Sequence, residues 1–185
     1  MAESKDVIEA RENSHNREYF WNIVEKFPNL IEWADEKIRD DKEIIIKAVS
    51  VDGGALEFAS DNLKDDKDVL LTATNQAGWT CCYASDRLKA DKDVLLTACK
   101  NDGQVLYFAS KELRDDKDVV LTAVSNKPII VKYASLRLRS DKDVAITAIS
   151  RGKEKVTEYF DEKLMNDSDI KKYWRKISKN IKFNI

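Results

Sequence analysis

The feature that most constrains this chain is a period of 25 residues: Asp41-Lys42, Asp66-Lys67, Asp91-Lys92, Asp116-Lys117 and Asp141-Lys142 recur at identical spacing. Self-similarity at such a period marks a solenoid, in which each unit buries its apolar face only against its neighbours. With each of these aspartates as column 1, columns 1 to 9 read DKEIIIKAV, DKDVLLTAT, DKDVLLTAC, DKDVVLTAV and DKDVAITAI. The aspartate suits a helix N-cap and the acid at column 3 favours the positive end of the helix dipole. Columns 4, 5 and 8, as in Val69, Leu70 and Ala73, have the spacing of one buried helical face. Column 8 is alanine in all five units, which places it at a close helix crossing.

Column 13 is Gly53, Gly78, Gly103 and then Pro128. Both residue types stop helices, glycine by taking the left-handed conformation and proline by lacking an N–H. The first helix is therefore expected to end near column 12. A second, shorter helix is expected to carry an apolar residue at column 16, an aromatic at 18, alanine at 19 and leucine at 23, as in Leu56, Phe58, Ala59 and Leu63. Upstream, Asn16 aligns with column 1 and Trp33-Ala34 with columns 18 and 19. Downstream, Asp167-Ser168-Asp169-Ile170 restarts the pattern one residue late, implying an insertion near Arg151 and Gly152. The expected architecture is an all-α solenoid: residues 1–15 a cap or lead-in, residues 16–166 six two-helix units, and residues 167–185 a capping helix with a basic tail.

The signature LxxDKxxxxxAxxxxGxxLxxAS, seen in Leu88 to Ser110, resembles the helical repeat family catalogued as domain of unknown function 4116, over about residues 16 to 166. The resemblance implies an all-helical array. By analogy with the bacterial, phage and large-virus proteins that carry such repeats, it also implies an interaction role, as an inhibitor or effector acting on a host protein. It transfers no functional residue.

Composition narrows the function classes. Acidic and basic residues nearly cancel, 34 against 32, so the molecule has no overall field to draw nucleic acid or membrane. Without a signal-like or membrane-spanning apolar segment, the expectation is a cytoplasmic protein with no membrane partner. Cys81, Cys82 and Cys99 do not make a disulfide framework, and the lone His15 is far from them, so they read as small packing residues. An enzyme using the Cys81-Cys82 region is the weakest alternative. The Asp-Lys-Asp series alternates acid with lysine at helix starts, which suits capping better than calcium or magnesium ligation. Nothing implies a cofactor, a metal or a small-molecule substrate.

Four further features carry binding readings beside structural ones. The aromatics Trp33, Phe58, Tyr83, Phe108, Tyr133 and Tyr159 could stack bases, but their regularity suits a solenoid core. Thr72, Thr97, Thr122 and Thr147 at column 7 suit hydroxyls bonded to the preceding helical turn. Columns 9 to 12 and 14 to 17 vary between units and surround the turn, so they define an individualised strip suited to recognition. Trp79, Thr80, Asn101, Gln104, Ile129 and Ile130 are the candidate protein-contact residues there, Trp79 foremost as an aromatic anchor. In the tail, Lys171, Lys172, Arg175, Lys176 and Lys179 occur without an acid and could contact phosphate. The function expected is a non-enzymatic module that binds a protein, with nucleic-acid binding or nucleic-acid mimicry as the alternative.

Overall fold

The computed structural model describes residues 4–151 and 156–182, with residues 176–182 described by their backbone alone. Each unit opens where column 1 caps a helix. Asp66 lies in extended backbone and its carboxylate accepts the Asp68 and Val69 amides; Asp41, Asp91 and Asp116 do the same. The long helices that follow are Lys42–Val51, Lys67–Gln76, Lys92–Asn101, Lys117–Asn126 and Lys142–Arg151. Each packs against the next. Columns 4, 5 and 8 line the core, and Val69, Leu70 and Ala73 have no exposed surface. The column 7 threonines Thr72, Thr122 and Thr147 donate to the carbonyl one turn earlier at 2.7–2.8 Å, the expected structural use of a helical threonine.

The second half of the unit differs from the expected single helix. It is a 3₁₀ helix followed by one α-turn, as in Gly53–Phe58 and Asp61–Lys64. Column 19 breaks the run: Ala59 is extended, with ψ of 158°. Ser60 then caps the α-turn by accepting the Leu63 amide. A capping serine placed two residues after an aromatic is a local start signal that stops one helix and begins another. In the fourth unit the closing turn, Leu113–Asp115, is also 3₁₀.

The column 13 glycines also act otherwise than expected, since none of the described residues has positive φ. Their role is close approach. A Cβ on Gly53 would lie 2.5 Å from the Ala73 carbonyl oxygen, and one on Gly78 would lie 2.6 Å from that of Ala98. Gly103 stands in the same relation to Ala123. Column 13 of one unit therefore presses on the backbone at column 8 of the next, and both the glycine and the alanine serve one junction.

Three ladders cross these junctions, the second of them interrupted between the third and fourth units, where column 25 is Ala90. The Nζ of Lys42 pairs with both Asp66 and Asp68, at 2.8 and 3.0 Å. Lys67, Lys92, Lys117 and Lys142 repeat the arrangement, and Arg17 begins it with Asp41 and Glu43. The column 1 aspartate is thus both a cap and the anchor for the preceding unit's cation. A second ladder joins the column 20 serines Ser60, Ser85 and Ser135 to Asp40, Asp65 and Asp115. Arg87 and Arg137 reinforce it with 3.0 Å contacts to Asp65 and Asp115. A third is backbone only, from the column 20 N–H to the column 24 carbonyl of the unit before, as in Ser60 to Arg39 at 2.8 Å.

The first ladder sets a pH window. Burial pulls the carboxyls of Asp66, Asp91 and Asp116 upward, but the lysine hydrogen bonds, the helix-start amides and the lysine charges outweigh it. All three are held below the ordinary 3.8. Their contribution is present above 3.8 and is lost as pH falls through the lower folded values. Hydrogen bonds to the acids raise the lysines above the ordinary 10.5, Lys92 to about 12. Their share is present below 10.5 and is lost as pH rises through the raised values. The melting temperature followed by circular dichroism is expected to hold a plateau between these limits and to fall on both sides.

At the ends, the helix Lys5–Glu12 packs on the first unit and buries Ala10, with Arg11 3.8 Å from the Trp33 ring centroid. Asn16 caps the helix Arg17–Ile23, as its alignment with column 1 requires. The late restart is also observed: Glu162–Met165 stands 26 residues after Leu136–Arg139 rather than 25. One extra residue therefore enters between Arg151 and Tyr159; the proposed insertion at Gly152 itself lies outside the described residues. The closing helix Ser168–Lys182 begins with Asp167 accepting the Asp169 and Ile170 amides.

Candidate functional site

The 3₁₀ helices form one edge of the array, and their geometry sorts the variable columns. A 3₁₀ helix has three residues per turn, so columns 14 and 17 share a side. Column 14 (Gly54, Trp79, Gln104, Ile129) and column 17 (Glu57, Cys82, Tyr107, Lys132) are exposed or half-buried. Columns 15 and 16 (Ala55-Leu56, Thr80-Cys81, Val105-Leu106, Ile130-Val131) are buried. Column 9, which the sequence reading grouped with the variable strip, is core as well: Val49, Thr74, Cys99, Val124 and Ile149 are all buried.

This sorting separates the candidate contact residues. Trp79 is 44% exposed and leans over the preceding unit, where a Cβ on Gly54 would lie 3.5 Å from the indole. Thr80 is fully buried and donates its hydroxyl to the Ala77 carbonyl, so it is not presented to a partner. Ile130 is 3% exposed, and contributes to the floor of the edge rather than its surface. The Asn101 side chain lies across a unit boundary and donates to the Thr74 and Asn75 carbonyls at 2.6 and 3.0 Å. It thereby serves the end of the preceding helix. Asn126 repeats this on Lys100. Burial therefore takes Thr80 off the surface, while Asn101 stays exposed with its amide nitrogen engaged across the boundary.

A cleft of about 460 Å³ on this edge brings Trp79, Gln104, Ile129 and Ile130 together. Its other walls include Tyr107, Tyr133, Lys127 and Lys132. Tyr107, which sequence reasoning missed, is 55% exposed. It meets the Tyr133 ring edge-on with centroids 5.0 Å apart. Its signal was available: among these units, only here does column 17 carry an aromatic. Lys127 donates to the Gln104 side-chain oxygen at 2.8 Å, and the Lys132 ammonium lies 4.9 Å from the Tyr133 ring centroid. The arrangement offers flat aromatic surface with two cations beside it.

Elsewhere, burial pushes the Cys81 and Cys99 thiols up to about 12 and raises Cys82 too, so all three stay protonated at neutral pH. Among the described residues no group of three or more His, Cys, Asp or Glu side chains could hold a metal ion. Lys171, Lys172 and Arg175 are exposed on the closing helix, while the side chains of Lys176 and Lys179 lie outside the described residues. No helix among the described residues is long and apolar enough to cross a membrane.

The model of the family described as Domain of unknown function (DUF4116) matches residues 16–64, 41–89, 66–114 and 116–165. Each match spans two consecutive units, and the last is one residue longer, as the extra residue requires. No curated protein and no solved structure matches the chain.

Proposed function

The chain belongs to this family of unknown function, and from that premise we propose that it is a non-enzymatic binding module that holds a protein partner on the 3₁₀ edge of its third to fifth units. The carrying observation is the convergence of exposed Trp79 and Tyr107 on a cleft whose outward columns differ in every unit. The ladders between units lie at other columns, so Trp79 and Tyr107 are not committed to them and keep exposed ring surface. Large, rigid aromatics are favoured anchors in protein interfaces. An inhibitor or effector role against a host protein is what the family analogy supports, and the cytoplasm is the setting proposed for it.

Affinity capture from native host lysate, with and without nuclease, tests the reading. A protein retained under both conditions is expected, with affinity lowered about tenfold or more by Trp79→Ala and by Tyr107→Ala. Undiminished capture by both variants would remove this edge from consideration. Exposed Lys171, Lys172 and Arg175 favour a second reading, contact with nucleic acid through the closing helix. That reading requires binding that collapses with salt and disappears after nuclease. Mimicry of nucleic acid has less support, because each pair of acids in the long ladder is bridged by a lysine or, at its start, by Arg17.

A further inference from the structure

The charges along the 3₁₀ edge are ordered. Column 12 runs Asp52, Ala77, Asp102, Lys127 and column 17 runs Glu57, Cys82, Tyr107, Lys132 through the second to fifth units. The second unit therefore carries an acid at both columns and the fifth a base at both. Between them stand the exposed rings of Trp79 and Tyr107. Reversing the order of units sets the acids of the second unit against the bases of the fifth, while Asp102 of the fourth unit meets uncharged Ala77 of the third.

We propose that the edge binds a second copy of this chain, antiparallel, about a two-fold axis lying between the third and fourth units. The inference rests on the reading of this edge as a protein-binding surface and names the partner. An axis in the interface plane and perpendicular to the array reverses the units while keeping each column in place. Glu57 then faces Lys132 of the second copy, Asp52 faces Lys127, and Cys82 faces Tyr107. Such an isologous contact requires each pairing to occur twice. The aromatic centre supplies buried area, and the charged ends set direction and register.

Glu57, Lys127 and Lys132 keep polar capacity unused within one chain, whereas both oxygens of Asp52 are engaged. Glu57 accepts one hydrogen bond from Tyr83 at 2.8 Å, leaving its other oxygen available. Lys127 holds Gln104, and Lys132 lies beside the Tyr133 ring. Asp52 caps Gly54 through one oxygen and accepts from Asn29 with the other. The outermost units limit the contact. Glu32 and Glu158 are both exposed at column 17 of the first and sixth units, and would repel each other in this arrangement, so the face is confined to the second through fifth units.

Sedimentation velocity across a protein concentration series tests the proposal, with circular dichroism confirming that each variant is folded. The unaltered chain is expected to show concentration-dependent dimers. Glu57→Lys and Lys132→Glu are each expected to weaken association roughly tenfold or more, because symmetry turns two attractions into two repulsions. An equimolar mixture of the two single variants, and the doubly substituted chain, are expected to recover it. A monomer at every concentration, or a mixture no better than either variant alone, overturns self-association. A monomeric chain that still captures another protein through Trp79 overturns the second copy while the binding edge stands; loss of both outcomes removes the edge itself.

Discussion

Replacing Gly78 with valine is expected to destabilise the array by about 3 kcal/mol, the upper range for inserting atoms into a packed site. The first added carbon would stand 2.6 Å from the Ala98 carbonyl oxygen, 2.9 Å from the Asp102 nitrogen and 3.0 Å from the Asp102 Cβ. Two of these are backbone atoms of the following unit, which cannot turn aside as a side chain can. The junction between the third and fourth units must open. Stability in a stack of units is a sum of unit and junction contributions, so weakening one junction uncouples the two sides. Urea denaturation is expected to show one transition broadening or dividing into two, with hydrogen-exchange protection lost first in the helices Lys67–Gln76 and Lys92–Asn101. Gly54→Ala provides the contrast. There the new Cβ would meet an Asp52 carboxylate oxygen at 3.0 Å and the Trp79 ring at 3.5 Å, both movable, and little change is expected.

Ala98→Leu attacks the same junction from the other side and is expected to cost about 2 kcal/mol. Ala98 has no exposed surface, its carbonyl already accepts the Asp102 amide at 2.9 Å, and Gly78 presses against it. Three more carbons have no space between helices that meet at this small residue. Thermal melting of the single variants and of the doubly substituted chain would show whether the two residues share one junction. The double loss is expected to fall short of the sum, since the first substitution has already separated the surfaces that the second would strain. An unchanged melting temperature for Ala98→Leu would place column 8 away from the crossing.

The long helices, their caps, the unit number and the late restart at Asp167 were legible in the sequence, because each depends on local spacing and residue type. The split second half was not. Its signal, Ser60 or Ser85 after an alanine, is a cap only when the chain before it is extended, and apolar periodicity across Leu56, Phe58 and Leu63 reads through that break. Glycine was recognised as a boundary but for the wrong physical reason, since its constraint is the carbonyl of a residue 20 positions later. Lys42 likewise reads as solvated charge until Asp66 and Asp68 are brought to it. At the candidate site, variability located the edge, but only the three-residue turn separates exposed Trp79 from buried Thr80. Asn101 and Tyr107 lie on the same stretch, and it is the neighbouring units that give the first a structural partner and leave the second outward.

The lysine ladder also bears on how such a chain could change its length. Lys42 reaches Asp66 and Asp68, and every later rung from Lys67 through Lys117 joins the same columns across the boundary. Removal of residues 66–90 would bring Lys42 to Asp91 and Asp93, chemically the same pair, and duplication of that segment would supply one more identical rung. Unequal recombination between repeats of the gene could therefore add or delete whole units without inventing a new join. Each event would shift which outward side chains stand next to one another, so the inherited unit of variation is a 25-residue cassette rather than a point substitution.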